Sequence, residues 1–225
     1  GEIRDQFTGD GLKKATQSGH QVLTTVHAST ALGIIDRLSD FGITPGVMGS
    51  PDFLTALIYQ KLLPLLCPNC SQSFKEKLKS GHASSADIAM AKRLEVVADL
   101  EKDDIKVANE SGCEQCKGMG VVGRTVCAEI IAPDFTLLKL FRQQKSIEAY
   151  EYWRSLSDGN LRSDNMTGKT TLEHALQKMY TGSVSPFDIE EVLGPVDGAQ
   201  KMLEQLREER RLQEEEARKK AAQDD

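Results

Sequence analysis

Along residues 1–66 the spacing of apolar positions alternates between the period of a helix and that of a strand. Apolar residues three or four positions apart predict helices, and apolar residues mixed with β-branched threonines predict a strand. A strand between helices is typical of an α/β fold in which helices cover a parallel sheet. The predicted elements are a helix at 11–18, a strand at 20–27, a helix at 31–41 and a strongly apolar helix at 53–66.

Between residues 67 and 132 the pattern is more polar, and cysteines lie near both ends. Residues 84–100 have the spacing of an amphipathic helix, and 118–131 is a strand-like stretch interrupted by glycines. In the helix we expect three side chains to point inward, namely Ile88, Leu94 and Val97. Residues 133–195 contain four further helical patterns, at 135–143, 147–156, 172–180 and 187–193.

The last 30 residues form a charged tail with few apolar positions. Such a tail is typical of a solvated helix or a disordered end, with a partner-binding helix as the alternative. The pattern therefore predicts four consecutive segments. They are an α/β part at 1–66, a cysteine-flanked insertion with a β-like end at 67–132, a helical region at 133–195 and the tail at 196–225.

Composition narrows the class of protein. The chain of 225 residues has a formal net charge of −6, and its polar insertion carries nearly equal numbers of acidic and basic residues. Proteins that wrap the nucleic-acid backbone are usually basic, so we expect no nucleic-acid partner. No apolar run is long enough for a transmembrane helix, and no signal peptide is present. These features predict a cytoplasmic protein.

Four of the five cysteines form two C-x-x-C pairs, Cys67–Cys70 and Cys113–Cys116. Two residues between cysteines allow both thiolates to reach one metal ion from a tight turn, and four thiolates satisfy tetrahedral Zn²⁺. We therefore predict a structural zinc site that stabilises the insertion; two redox-active or inert pairs are the alternative. The fifth cysteine, Cys127, lies in an apolar strand-like run and is interpreted as a small buried apolar residue.

A second candidate site lies at the start of the chain, where the carboxylate of Glu2 precedes a predicted strand that ends on His27. A carboxylate and an imidazole in this arrangement can contact a Mg²⁺-bound water and a terminal phosphate. On spacing alone the signal is weak, because a single glutamate is usually a solvated charge. A histidine beside a strand is likewise usually an ordinary surface or core residue.

Five blocks of the sequence nevertheless match one family in order and spacing over about residues 1–195. The chain resembles the ATPases of type II secretion and type IV pilus machines, in their Walker B end and His box above all. The matching blocks are GEIRD at 1–5, SGHQVLTTVHA at 18–28, DRL with FGI at 36–43, QKLLPLLCPNC at 60–70, and GCEQCKGMGVVGRT with EII at 112–131.

The resemblance implies an α/β fold: the C-terminal part of a RecA-like P-loop NTPase domain with a four-cysteine zinc insertion and a helical C-terminal region. It also implies a hexameric ATPase that binds ATP and Mg²⁺ and acts on an inner-membrane platform protein. The four-cysteine element is typical of the assembly and secretion branch. On this basis Glu2 and the two histidines, His20 and His27, are the candidate catalytic residues. Arg4 and Asp5, together with Glu2, are the candidate cofactor-binding residues.

The phosphate-binding loop that such an ATPase needs, G-x-x-x-x-G-K-[ST], does not occur in the sequence. The nearest match, Gly168-Lys-Thr-Thr171, has Ser163 where the first glycine is required and follows no apolar strand. Since the chain also begins with Gly1, we interpret it as the C-terminal part of a longer protein and expect it to be inactive alone. A processed chain that starts here is the alternative, and would favour a free-standing zinc-stabilised protein-interaction module.

Overall fold

The computed structural model describes residues 1–198, so the charged tail from residue 199 onward lies outside the described residues. Helices and strands are mixed along this part of the chain, which confirms the predicted α/β class. The helices are α1 (Gln6–Gln17), α2 (Gly33–Asp40), α3 (Pro45–Met48), α4 (Phe74–Lys79), α5 (Ser85–Leu94), α6 (Phe135–Arg142), α7 (Ser146–Ser155), α8 (Thr171–Tyr180) and α9 (Pro186–Leu193). The strands are β1 (Leu57–Leu66), β2 (Gln72–Ser73), β3 (Lys106–Val107) and β4 (Val121–Ile131).

The strands form two small sheets. The long strands β1 and β4 pair with each other, and the short strands β2 and β3 pair in antiparallel orientation, with Gln72 opposite Val107. One isolated parallel bridge joins Glu2 to Thr25. The two chain segments of this bridge carry the candidate residues Glu2 and His27.

The predicted helix at 53–66 is wrong, because this segment contains strand β1. Its leucines fit a helical period, but the buried leucines are Leu57, Leu63 and Leu66, and Pro64 lies inside the element. A proline in the interior of a helix removes a hydrogen bond and clashes with the preceding turn. The strand is stabilised by β4, which lies more than fifty positions further along the chain and could not be seen in a local pattern.

The predicted strand at 20–27 is also wrong in extent. Within the described residues this segment pairs only at Thr25, where the Ile3 N–H donates to the Thr25 carbonyl at 2.9 Å and the Thr25 N–H donates to the Gly1 carbonyl at 3.2 Å. A strand needs a partner along its whole length, and the neighbouring segment pairs here through Gly1 to Ile3 alone.

The C-terminal helices are confirmed to within one residue at each end: α6, α7, α8 and α9 occupy the four predicted positions. The predicted helix at 31–41 is α2, and the strand-like stretch at 118–131 contains β4. Helix α5 is shorter than predicted. Leu94 and Val97 are buried as expected, but Ile88 is 51% exposed, and the sequence analysis missed the buried Met90.

The chain divides into two compact units, and the division falls within β1 and within β4. Unit 1 comprises residues 1–60, 128–158 and 165–170. Its core is formed by buried side chains from α2, α3, β1, α6 and α7, among them Leu38, Met48, Leu57, Phe141 and Trp153. Each such side chain contributes about 1.5–3 kcal/mol by leaving water.

Among the described residues, unit 2 comprises 61–127, 159–164 and 171–198. Its core contains Phe74, Met90, Leu94, Leu176 and Ile189 among its buried members. Helices of the insertion and helices of the C-terminal region therefore share one core, although the sequence analysis assigned them to separate segments. The prediction of four consecutive segments stays a prediction.

Candidate functional site

The Glu2 carboxylate is the centre of a polar cluster in unit 1. Its Oε2 accepts hydrogen bonds from Arg4 Nε at 2.8 Å and from Arg4 Nη2 at 2.7 Å. Its Oε1 lies 3.2 Å from His27 Nε2. The structure therefore brings together three of the residues predicted from the sequence: Glu2, Arg4 and His27.

The parallel bridge explains why two residues 25 positions apart meet. Bridging places Gly1–Ile3 beside Thr25, and the Thr24 hydroxyl adds a hydrogen bond to the Gly1 carbonyl at 2.9 Å. His27 follows two residues after the bridge, and its Nε2 lies 3.2 Å from Glu2 Oε1. Backbone pairing thus sets the distance between the carboxylate and the imidazole.

The cluster is open to solvent. The side chain of Glu2 is 25% exposed, that of Arg4 is 74% exposed and that of His27 is 96% exposed. Carboxylate oxygens are ligands that Mg²⁺ prefers, either directly or through its waters, and an imidazole N–H can donate to a phosphate oxygen. The arrangement is therefore suited to holding a hydrated cation beside an anionic group.

Two other predicted site residues have local structural partners. Asp5 caps α1: its Oδ1 accepts from the Thr8 N–H at 2.8 Å, and this bond is the main cause of a pKa below the usual range for Asp5. Within the described residues His20 contacts Ser18, with 3.0 Å between Nδ1 and the hydroxyl, rather than Glu2. Roles for Asp5 and His20 in nucleotide chemistry stay predictions.

The segment at 168–171 is unsuited to gripping phosphate, as expected from its sequence. Lys169 is 2% exposed and Thr171 is 4% exposed, so neither side chain faces solvent. Gly168 takes a positive φ of 66° and accepts a hydrogen bond from Arg154 at its carbonyl. Thr171 is the first residue of α8, so the segment forms the buried start of a helix.

The four predicted zinc ligands, Cys67, Cys70, Cys113 and Cys116, lie together in unit 2, with all four sulfur atoms within 4.8 Å of one another. The sulfur-to-sulfur distance is 3.8 Å for Cys67 and Cys113, and 3.7 Å for Cys70 and Cys116. Zn–S bonds of about 2.3 Å in a tetrahedron place sulfur atoms about 3.8 Å apart. The donor set and its spacing therefore fit a tetrahedral Zn²⁺ ion.

Backbone N–H groups near the second C-x-x-C pair donate hydrogen bonds to Cys116 Sγ. The N–H groups of Cys113 and Gly120 point to Cys116 Sγ at 3.1 and 3.2 Å. Gly120 has a φ of 72°, and a Cβ there would lie 2.6 Å from the Asn109 carbonyl oxygen, so glycine alone fits. These N–H groups stabilise negative charge on sulfur, as a thiolate ligand requires.

Asn69 is a polar neighbour of this cluster that was not among the predicted site residues. The Asn69 amide donates to Cys113 Sγ at 3.3 Å and is the main cause that lowers the pKa of Cys113 to about 6. Removal from solvent raises the pKa of Cys70 to about 12. Asn69 could have been noticed, since it lies inside the first C-x-x-C pair.

Cys127 lies outside the cluster and is fully buried, and burial raises the pKa of its thiol to about 11, in agreement with the predicted apolar role.

A family model, described as "Type II/IV secretion system protein", matches residues 1–216, which is nearly the whole chain. The chain belongs to this family. Both candidate sites lie inside the matched region, so the resemblance inferred from the five sequence blocks is confirmed.

Three relatives illustrate the similarity. The chain is 29% identical over 181 residues to the Type II secretion system ATPase E of Vibrio cholerae, and 31% identical over 181 residues to the Type II secretion system protein E of Aeromonas hydrophila. These alignments cover 79% of the chain and 33% of each relative. It is also 29% identical over 186 residues to the Type IV pilus assembly ATPase PilB of Thermus thermophilus, covering 79% of the chain and 19% of that protein. The chain therefore matches about a third or less of these relatives' length.

Proposed function

We propose that this chain is the C-terminal part of a longer ATPase that powers type II secretion or type IV pilus assembly. The observation that carries the proposal is the Glu2–Arg4–His27 cluster, formed by two segments that match the Walker B end and the His box of this family. Relatives whose names include "ATPase" support the same activity.

In this proposal each polar group has a defined role. Glu2 holds Mg²⁺ or one of its waters, and His27 contacts the terminal phosphate of ATP. Arg4 fixes the orientation of the carboxylate by its two hydrogen bonds to Oε2. His20 and Asp5 lie next to these segments in sequence and contribute to the same site when the upstream part of the fold is present.

The architecture follows the same reasoning. Unit 1 corresponds to the end of a RecA-like core, which receives its phosphate-binding loop from the part of the longer protein that this chain does not include. The whole protein assembles as a homo-hexamer in the cytoplasm and acts on a platform protein of the inner membrane. No helix among residues 1–198 is long and apolar enough to cross a membrane.

Cys67, Cys70, Cys113 and Cys116 hold a structural Zn²⁺ in this proposal. Four sulfur ligands leave no open coordination position for water, so the ion supplies stability rather than chemistry. Its binding joins the two ends of a long polar insertion and contributes directly to the folding free energy of unit 2.

The test measures zinc content and ATP turnover on two samples, this chain and the chain extended upstream to include its phosphate-binding loop. We expect about one zinc per chain in both, and Mg²⁺-dependent turnover in the extended protein alone. A Glu2→Gln variant of the extended protein controls for contaminating ATPases. Robust turnover by residues 1–225 would contradict the assignment of an incomplete site. An extended protein that holds zinc without turnover would favour the zinc-stabilised interaction module.

A further inference from the structure

The loop that follows His27 is held by a carboxylate from a distant strand. Oε2 of Glu129, in β4, accepts a hydrogen bond from the backbone N–H of Ala31 at 2.9 Å. Glu129 is 7% exposed and Ala31 is fully buried. The two residues are 98 positions apart and both belong to unit 1. A buried backbone N–H requires an acceptor, and here a side chain supplies it.

Local sequence provides no equivalent acceptor for this N–H. Ala31 lies at the start of α2, where the N-cap residue is Leu32, whose side chain makes no capping hydrogen bond. The Thr30 hydroxyl serves a different donor, the Gly33 N–H, at 2.9 Å. A carboxylate near the N-terminus of a helix is favoured by the helix dipole as well as by hydrogen bonding. Glu129 thus fixes the beginning of α2 from outside the helix.

The position of His27 depends on hydrogen bonds that hold its backbone, because its own side chain makes few packing contacts. At 96% exposure, its position is set mainly by the backbone that carries it. Two residues before His27 the parallel bridge holds Thr25, and four residues after it Glu129 holds Ala31. Arg37 Nε adds a weaker bond to the His27 carbonyl at 3.3 Å. The histidine therefore lies on a seven-residue segment that is anchored at both ends.

We propose that Glu129 is a positioning residue of the ATPase reaction, which holds the segment bearing His27 in the geometry that contacts the terminal phosphate. The inference rests on the proposed function. In this role Glu129 acts through the Ala31 N–H rather than on the nucleotide itself. Glu129 lies in strand β4, between the buried residues Ala128 and Ile131. A positioning group needs such a rigid support. Small displacements of a catalytic group reduce turnover strongly, by up to about a hundredfold per ångström.

The test compares Glu129→Met with Glu129→Gln in the extended protein. Methionine keeps the size and removes the acceptor, whereas glutamine keeps an acceptor oxygen for the Ala31 N–H. We expect Glu129→Met to lower kcat by about 10- to 100-fold, with KM for ATP and zinc content unchanged, and Glu129→Gln to stay within about threefold of the wild type. Glu148→Met, a change at an exposed residue of α7, is the matched control and leaves kcat unchanged.

A double-mutant cycle with His27→Ala separates positioning from a general structural role. If Glu129 acts through His27, Glu129→Met has no further effect on kcat in the His27→Ala background. The inference would be overturned if Glu129→Met lowered kcat by the same factor in the wild-type and His27→Ala proteins. It would also be overturned if Glu129→Met and Glu129→Gln had equal activity. Should Glu129→Met fail to fold, Glu129→Asp takes its place, because its shorter side chain withdraws the carboxylate from Ala31.

Hydrogen exchange at the Ala31 amide provides a readout that does not depend on activity. We expect exchange at least about tenfold faster in Glu129→Met and nearly unchanged in Glu129→Gln, since the buried N–H loses its acceptor only in the first. Unchanged exchange in both variants would overturn the inference even if turnover fell. An extended protein without any ATP turnover, but with this exchange difference, would instead contradict the proposed function and leave Glu129 as an anchor of the His27 segment alone.

Discussion

The two candidate sites of this protein differ in how completely the chain builds them. At the cysteine cluster all four ligands are present at the spacing of a tetrahedral ion, and two of them, Cys67 and Cys116, are almost fully buried. At the Glu2–His27 cluster the His27 side chain is 96% exposed and that of Glu2 is 25% exposed, and a parallel bridge joins the two segments that carry them. All four cysteines of the first site belong to unit 2, and Glu2, Arg4 and His27 of the second belong to unit 1.

Because of this difference, the loss of each site should affect a different property of the protein. Four cysteines that bind one metal ion join distant parts of unit 2, so the loss of one of them should affect stability first. Exposed side chains contribute little to the folding free energy, so their loss affects chemistry and leaves the fold intact. Mutations at the Glu2–His27 cluster should therefore lower activity, whereas mutations at the cysteine cluster should lower the melting temperature.

The largest effect is expected for His27→Ala in the extended protein. Removing the imidazole should lower ATP turnover by about 100- to 1,000-fold, the range typical of a group that contacts the reacting centre. The melting temperature should change by no more than about 1 °C, because the side chain is 96% exposed. Steady-state turnover and thermal unfolding on the same sample provide both values.

His82→Ala is the matched control, because His82 is an exposed histidine of unit 2 that belongs to neither candidate site. It should leave turnover and melting temperature unchanged. A marked fall in the melting temperature of His27→Ala would show that the two sites do not differ in the proposed way.

The next effect concerns Cys67→Ser, which removes a buried ligand. We expect bound zinc to fall from about one per chain to nearly none, and the free energy of unfolding to fall by about 4 kcal/mol or more. Zinc content by atomic emission and chemical denaturation measure the two changes. An unchanged melting temperature in the presence of a chelator would contradict the structural role of the ion.

Cys127→Ala provides the control for this variant, because Cys127 is buried in unit 2 but lies outside the cluster. It should keep its zinc and lose about 1 kcal/mol from reduced packing. Loss of zinc in both variants would mean that general destabilisation of unit 2, rather than a missing ligand, releases the ion.

The sequence predicted the parts of the fold that depend on local pattern. The four C-terminal helices have apolar faces at helical spacing and clear breaks between them, and the structure has them in those places. The cysteine cluster was predictable for a chemical reason, since two C-x-x-C pairs have few other uses than binding one metal ion. Its sulfur spacing confirms that the pairs meet.

The parts that failed depend on partners distant in the chain. Strand β1 was predicted as a helix because its pairing partner β4 could not be seen in a local pattern. Helix α1 begins at Gln6, five residues before the predicted start, because Asp5 and Thr8 form a capping box that uses threonine instead of the common glutamate. The hydrogen bond from Ala31 to Glu129 spans 98 positions and left no signal in spacing or composition.

The smallest effect is expected for Asp87→Asn, which tests whether an ion pair stabilises the insertion in addition to its cysteines. Asp87 Oδ1 accepts from Lys77 Nζ at 2.9 Å, and the Asp87 side chain is 2% exposed. Burial alone would raise the pKa of Asp87, but hydrogen bonds from Lys77 and Ser84 outweigh it and lower the pKa below the usual value. A lowered pKa in the folded state means that Asp87 contributes stability above its unfolded pKa of about 3.9, and that this contribution is lost as the pH falls through the folded value.

Asp87→Asn should therefore reduce the free energy of unfolding by about 1–2 kcal/mol at pH 7, less than a fully buried pair would lose because Lys77 is 29% exposed. The difference from the wild type should narrow as the pH is lowered from 5 toward 3, when measured by urea denaturation. Glu95→Gln, at an exposed residue that ends α5, removes one charge from the same unit and should give no such pH-dependent difference. A constant gap between wild type and Asp87→Asn across this range would mean that the pair with Lys77 does not stabilise the insertion.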